Sequence, residues 1–188
     1  MRAVSEVPVE PPLTGDEAQT LVGELERVRR VIAWKCGGLD AAALAARAGA
    51  STMTLAGLLR HLTLVECDVF RRCLDGDTLG PPWDDVDWVG DPDWEWRTAT
   101  AIDPEERRAQ WREAVASSRR RLRRALDEGG LDQLCRGVDT REGASPSLRR
   151  LLIDLIEEYA RHAGHADLLR EAADGLVGED APGEGVEL

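Results

Sequence analysis

Residues 148–176 carry the pattern that most restricts the fold. Leu148, Leu152, Leu155, Tyr159, His162, Ala166, Leu169, Ala173 and Leu176 recur alternately four and three positions apart. On an α-helix that spacing lines one face, whereas a strand turns its side chains to opposite faces at every residue. A stripe of this length has to be covered by other apolar stripes, and an amphipathic helix finds its cover in neighbouring helices.

Further segments supply that cover. Thr14-Gly15-Asp16-Glu17 has the form of a capping box, followed by Leu21, Leu25, Val28 and Ile32 and stopped by Gly37-Gly38. A second helix starts near Thr52 or Thr54 and carries Leu55, Leu58, Leu62, Val65, Val69 and Cys73 before Gly76. A third begins at Asp103-Pro104-Glu105-Glu106, an N-cap with proline at the first helical position, where its missing donor costs nothing. Its stripe is Trp111, Val115, Ser118, Leu122 and Ala125, and Gly129-Gly130 ends it; Ser145-Pro146 opens the fourth helix and Gly175 closes it. The pattern predicts an all-α protein, a four-helix bundle with helices near 15–35, 53–74, 104–128 and 147–174. No β alternation of useful length interrupts it. Between helices two and three lies a long loop, 76–102, holding Trp83, Trp88, Trp94 and Trp96, read either as a lid or as a plug for the open end of the bundle. The chain reads as one domain over 1–176, with an acidic disordered tail over 177–188 and a disordered first dozen residues.

Charge narrows the partners. A net charge of −12 argues against nucleic acid, whose phosphates need a basic face. The one basic run, SRRRLRR from Ser118 to Arg124, reads as the solvated face of a helix. No apolar run is long enough for a membrane span and the first residues lack a secretory core, so the expected location is cytoplasmic. Cys36, Cys67, Cys73 and Cys135 have no metal-finger or redox spacing and read as reduced thiols.

Chemistry concentrates in EEYARHAGHADLLRE, Glu157 to Glu171. Residues three and four apart share a helical face, so Glu158, His162 and His165 form one polar strip, and His162 also belongs to the apolar seam. Two ligands one turn apart can grip a single ion, and a third must come from another helix. The one remaining histidine is His61, in GLLRHLTLVE, on the flank of the second stripe. Glu66, Asp68 and Asp167 are nearby acids that read as solvated.

GLLRHLTLVE followed much later by EEYARHAGHADLL resembles the DinB-like superfamily, which includes the mycothiol-dependent maleylpyruvate isomerases, and is similar to an uncharacterised branch marked by ARHAGHAD. The resemblance runs from the first helix through Gly175. Most such proteins have HxxxHxGQ where this chain has Glu158-x-x-x-His162-x-Gly164-His165. The resemblance implies His61, Glu158 and His162 as ligands of a divalent metal, zinc or nickel, with His165 beside them or in place of Glu158 as the third ligand. It further implies an up-down-down-up bundle, a homodimer, and a low-molecular-weight thiol as cofactor or nucleophile. The chain has 23 arginines against one lysine, a bias common in GC-rich genomes, and this agrees with mycothiol as that thiol.

Three protein ligands would leave positions open for water, a small-molecule substrate or a sulfur atom. The expected function is a metal-dependent, thiol-using transferase or isomerase. A metal-dependent hydrolase and a non-catalytic metal-binding bundle of the stress-response kind are the alternatives. No phosphate loop, nucleotide fingerprint or Ser-His-Asp order competes.

Overall fold

The structure, a computed structural model, describes residues 11–137 and 143–180. The expected disordered ends fall mostly outside the described residues. The chain is all-α: α1 spans Glu17–Cys36, α2 Ala41–Leu44, α3 Leu55–Cys67, α4 Trp94–Arg97, α5 Pro104–Gly129 and α6 Leu148–Asp174. Among the described residues no helix is long and apolar enough to cross a membrane.

The helix starts follow local chemistry, with two corrections. The capping box of α1 is built by Asp16 rather than Thr14: Asp16 Oδ1 accepts from the Gln19 backbone N–H at 2.8 Å, and Gln19 Oε1 accepts from the Asp16 N–H at 2.9 Å. Glu17, expected to close that box, instead takes Arg149 of α6 in two hydrogen bonds of 2.8 and 3.0 Å. The N-cap of α6 is Ser147, not Ser145. Thr54 caps α3 and Asp103 caps α5, with Pro104 in the first turn.

The stripe of the second long segment changes course midway. Leu55, Leu58 and Leu62 are buried, but Val65, Val69 and Cys73 are half-exposed, and Glu66, Phe70 and Leu74 are inside. A π-helical stretch, Asp68–Leu74, continues α3. Its wider turns carry one more residue between hydrogen-bonded partners than an α-turn, which rotates the inward face by about one position. At the other end of the chain, α6 stops at Asp174, and Gly175 takes the left-handed conformation at φ 79°. Leu176, expected to extend the seam, lies outside the helix and is exposed.

α1 packs along α6, and α3 along α5, with α3 also touching α1 and α6. Leu25, Ile32, Leu58, Leu62, Trp111, Leu122, Leu152 and Leu155 meet in one core. A polar chain runs through it. Arg29 gives hydrogen bonds of 2.9 and 2.6 Å to the two oxygens of Glu66 and one of 2.9 Å to Glu26. The Tyr159 hydroxyl donates to Glu66 at 2.6 Å and accepts from the Trp111 indole at 3.0 Å. Arg119 closes on Glu26 at 3.0 and 2.5 Å. Every one of the four long helices contributes, and Arg29, Glu66 and Tyr159 have no exposed surface. Glu66 is therefore not the solvated acid expected of it. Nor is 118–124 simply a solvated face: Ser118 is buried, Arg119 is spent on Glu26, and Arg121 and Arg124 bind Asp75. All four cysteines are free thiols.

At the end of α1 the Arg170 guanidinium of α6 binds the carbonyls of Trp34, Lys35 and Gly37 at 3.2, 3.2 and 2.8 Å, satisfying acceptors that the helix terminus leaves without partners. Lys35 is fully buried beside it, its ammonium 2.7 Å from Asp167 and hydrogen-bonded to the carbonyl of Gly178.

The tryptophan-rich connection is not one irregular loop. It contains 3₁₀ turns at Trp83–Asp85 and Ala99–Ala101 and the single-turn α4. Trp83, Trp88 and Trp94 cluster with ring centroids 5.8–6.5 Å apart, and the Arg60 guanidinium of α3 lies 5.1 Å from the Trp83 ring and 4.2 Å from that of Trp94.

Candidate metal centre

Helix α6 presents Glu158 and His162 one turn apart, and α3 brings His61 against them. His61 Nε2 and His162 Nε2 each lie 3.0 Å from the same oxygen, Oε1 of Glu158. These donor atoms fall within 4.8 Å of one another, the one such His/Cys/Asp/Glu group found among the described residues. His162 is buried in the seam, while His61 and Glu158 sit on its border. His165 is not part of this group: its Nδ1 faces His162 Nδ1 at 3.3 Å, so it touches a member of the cluster from behind.

The opposite side of His61 is held by α4. Its Nδ1 lies 3.1 Å from Oε1 of Glu95, and the Trp96 ring stacks on the imidazole with centroids 5.1 Å apart at 22°. Gly57, one turn before His61, makes room for that ring, since a Cβ there would come 2.8 Å from Trp96 Cε3. His61 and His162 meet edge to face at 4.8 Å.

Electrostatics follow from this geometry. An ionised carboxylate only accepts, so each imidazole contact with Glu95 or Glu158 requires an N–H on the ring. Burial pushes the His61 pKa down, but hydrogen bonds to Glu95 and Glu158 outweigh it and the net shift is upward. For His162, burial and the neighbouring His61 lower the pKa against the pull of Glu158, favouring the neutral ring. Burial raises the Glu158 pKa, yet the two histidines more than offset it and hold the carboxyl ionised. Two imidazole nitrogens and one carboxylate oxygen form a donor set that suits a divalent transition metal.

None of the cysteines with a displaced pKa is primed as a nucleophile. Burial pushes Cys36 up to about 12 and Cys135 to about 11, and it also raises Cys67. A cavity of about 500 Å³, lined by Thr63, Cys67, Phe70 and Trp83 among others, lies elsewhere on α3, and no residue of the histidine cluster lines it.

The family model for mycothiol-S-transferase matches residues 20–175, a span that contains every residue of the cluster. The chain belongs to the mycothiol S-transferase family. That family falls within the DinB-like superfamily, to which the motifs around His61 and His162 are similar. No curated protein and no solved structure matches the chain.

In this mycothiol S-transferase family member, helical spacing brought Glu158, His162 and His165 to notice, and His61 entered as the one remaining histidine. Spacing missed Glu95 and Trp96, which sit in a connection without periodicity. The available signal was Gly57, a glycine inside an otherwise regular helical stripe, which marks a close approach by another group.

Proposed function

We propose that this chain is a divalent-metal-dependent, thiol-using enzyme. Zinc or nickel is held by His61, Glu158 and His162, and mycothiol is activated there toward a small electrophilic organic substrate, in a transferase or isomerase reaction. The observation that carries the reading is the convergence of three nitrogen and oxygen donors within 4.8 Å, in a chain of the mycothiol S-transferase family. The same reading takes residues 1–176 as one domain, an up-down-down-up four-helix bundle that acts as a cytoplasmic homodimer.

When bound, such an ion supplies a positive charge that lowers the pKa of a coordinated thiol or water. The chain's own residues do the rest. Burial of His162 favours the neutral ring, the form that offers a lone pair. Glu158, held ionised, brings the only negative charge of the three ligands and leaves a net +1 for a thiolate to neutralise. Trp96 walls one side of His61 and limits the approach of water. His165, against His162, stands at the edge of the cluster where it can hold or pass a proton through Nδ1. Cys36, Cys67 and Cys135 are all shifted away from the thiolate, which supports taking the sulfur nucleophile from outside the chain.

The test is to load the protein with cobalt and titrate it with mycothiol. An intense near-ultraviolet sulfur-to-metal band should appear and should be absent in His61→Ala. If no thiol perturbs the cobalt spectrum while water-dependent ester or amide cleavage is seen, a hydrolase replaces this reading. If neither is seen, the site belongs to a metal-binding protein without turnover.

A further inference from the structure

We propose that Glu95, in the tryptophan-rich connection, is the positioning residue for His61: it accepts the Nδ1–H of that ring and so aims Nε2 at Glu158 and the donor cluster. The consequence for metal affinity rests on the reading above, but the contact itself exists without metal.

Three consecutive residues of α4 grip two consecutive residues of α3. Trp94 lies over the Arg60 guanidinium at 4.2 Å, Glu95 meets His61 Nδ1 at 3.1 Å, and Trp96 stacks on the His61 ring. An imidazole clamped on its face and at one nitrogen has little rotational freedom left, so the direction of the other nitrogen is fixed. Glu95 is itself buried, and its second oxygen, Oε2, has no hydrogen-bond partner. A buried, half-satisfied carboxylate is a poor way to anchor a connection, because the unpaired oxygen bears a desolvation penalty that solvent exposure would remove. Its one hydrogen bond goes to His61. A carboxylate behind a ligand imidazole fixes the tautomer and raises the basicity of the ligating nitrogen. Nothing in the spacing of the ligand residues requires this group; it comes from a segment 34 positions away in sequence.

Two variants and two readouts decide the matter. Zinc affinity, by competition with a chromophoric chelator, should weaken about 10–100-fold in Glu95→Ala, as for other groups behind a ligand. Glu95→Gln, which keeps an oxygen acceptor but loses the charge, should weaken it measurably, though by less than about 10-fold. In nitrogen-15 NMR the His61 Nδ1–H should be protected from exchange in the wild type, with and without zinc. That protection should persist in Glu95→Gln and vanish in Glu95→Ala. A merely structural glutamate would change the melting temperature and leave both readouts alone. Wild-type zinc affinity in Glu95→Ala overturns the proposal, as does an Nδ1–H that exchanges equally in wild type and variant. Should Glu95→Ala not fold, Glu95→Gln decides through its affinity, and full wild-type binding there counts against the proposal. Should the wild-type protein bind no zinc, the metal reading fails, and the NMR comparison alone decides whether Glu95 holds the ring.

Discussion

Arg29 and Glu66 face each other through two hydrogen bonds of 2.9 and 2.6 Å with no exposed surface on either side chain. They join α1 to α3 at the centre of the core, where a sequence reading would place only apolar groups. Breaking one side of a buried ion pair leaves the other charge poorly compensated, and without Glu66 the Arg29 guanidinium would keep Glu26 alone of its two carboxylates. Glu66→Leu is therefore expected to cost about 3–5 kcal/mol, read as a lower urea midpoint, whereas replacing both partners with apolar residues costs less than either single change. Additive losses in that double-mutant cycle would refute a coupled pair.

Tyr159→Phe removes the hydroxyl that donates to Glu66 and accepts from Trp111. The buried indole N–H loses its acceptor, and the expected loss is about 1–3 kcal/mol. Tryptophan fluorescence should report the altered surroundings of Trp111 in the folded variant.

Glu26 makes stability depend on pH at the acid end. Burial raises its pKa, but hydrogen bonds and charges from Arg119 and Arg29 win, and the net shift is below the ordinary 4.5. A depressed carboxyl contributes stability that is fully present above 4.5 and is lost as pH falls through the folded value. Melting temperature should therefore fall between about pH 4.5 and the acid limit, and Glu26→Gln should lower it at neutral pH while flattening that fall. A parallel acid profile in the variant would assign the effect to other carboxyls.

His162→Ala should abolish stoichiometric zinc, measured by elemental analysis after gel filtration. His165→Ala should weaken binding by no more than about 10–100-fold, because its ring backs onto His162 and gives no donor atom to the cluster. If Glu158→Ala keeps full affinity while His165→Ala loses it, the third ligand is His165.

Gly57→Ala sets two effects against each other. Alanine gains up to about 1 kcal/mol of helix propensity, but its Cβ would meet the Trp96 ring at 2.8 Å. Overpacking of that kind costs about 1–3 kcal/mol, so a net loss is expected. Displacement of Trp96 should also expose the face of His61 that it covers, seen as faster exchange of the ring N–H protons by NMR. A stabilised variant with unchanged His61 signals would mean that the ring yields freely.

Apolar periodicity made the four long helices legible, and their observed bounds lie close to those predicted because capping residues and glycines punctuate them. Errors arose where two local signals competed. Thr14 and Asp16 both offer a cap, and Asp16 wins with Gln19 while Glu17 is drawn to Arg149, a partner 132 positions away. After Leu62 the inward face ran through Glu66 and Phe70 instead of Val65 and Val69, because an apolar count passes over a buried carboxylate, and the π-helical stretch after Cys67 continued that spacing. At the site, Glu158, His162 and His165 were visible as one strip because i, i+4 and i+7 share a face. His61 was visible only as a scarce residue on a flank. Glu95 was not visible at all, because an acid in an irregular acidic connection looks solvated until another helix covers it.

The position of Lys35 has a practical consequence. It is the only side-chain amine in the sequence, and it lies sealed between α1, Asp167 of α6 and the backbone at Gly178. An amine-reactive acylating dye cannot reach this nitrogen until α1, α6 or the segment at Gly178 moves away, so the modification rate of a peptide containing Lys35 is a clock for that opening. Followed by mass spectrometry with and without zinc, the clock would report whether events at His61 and His162 are felt around Asp167, further along α6.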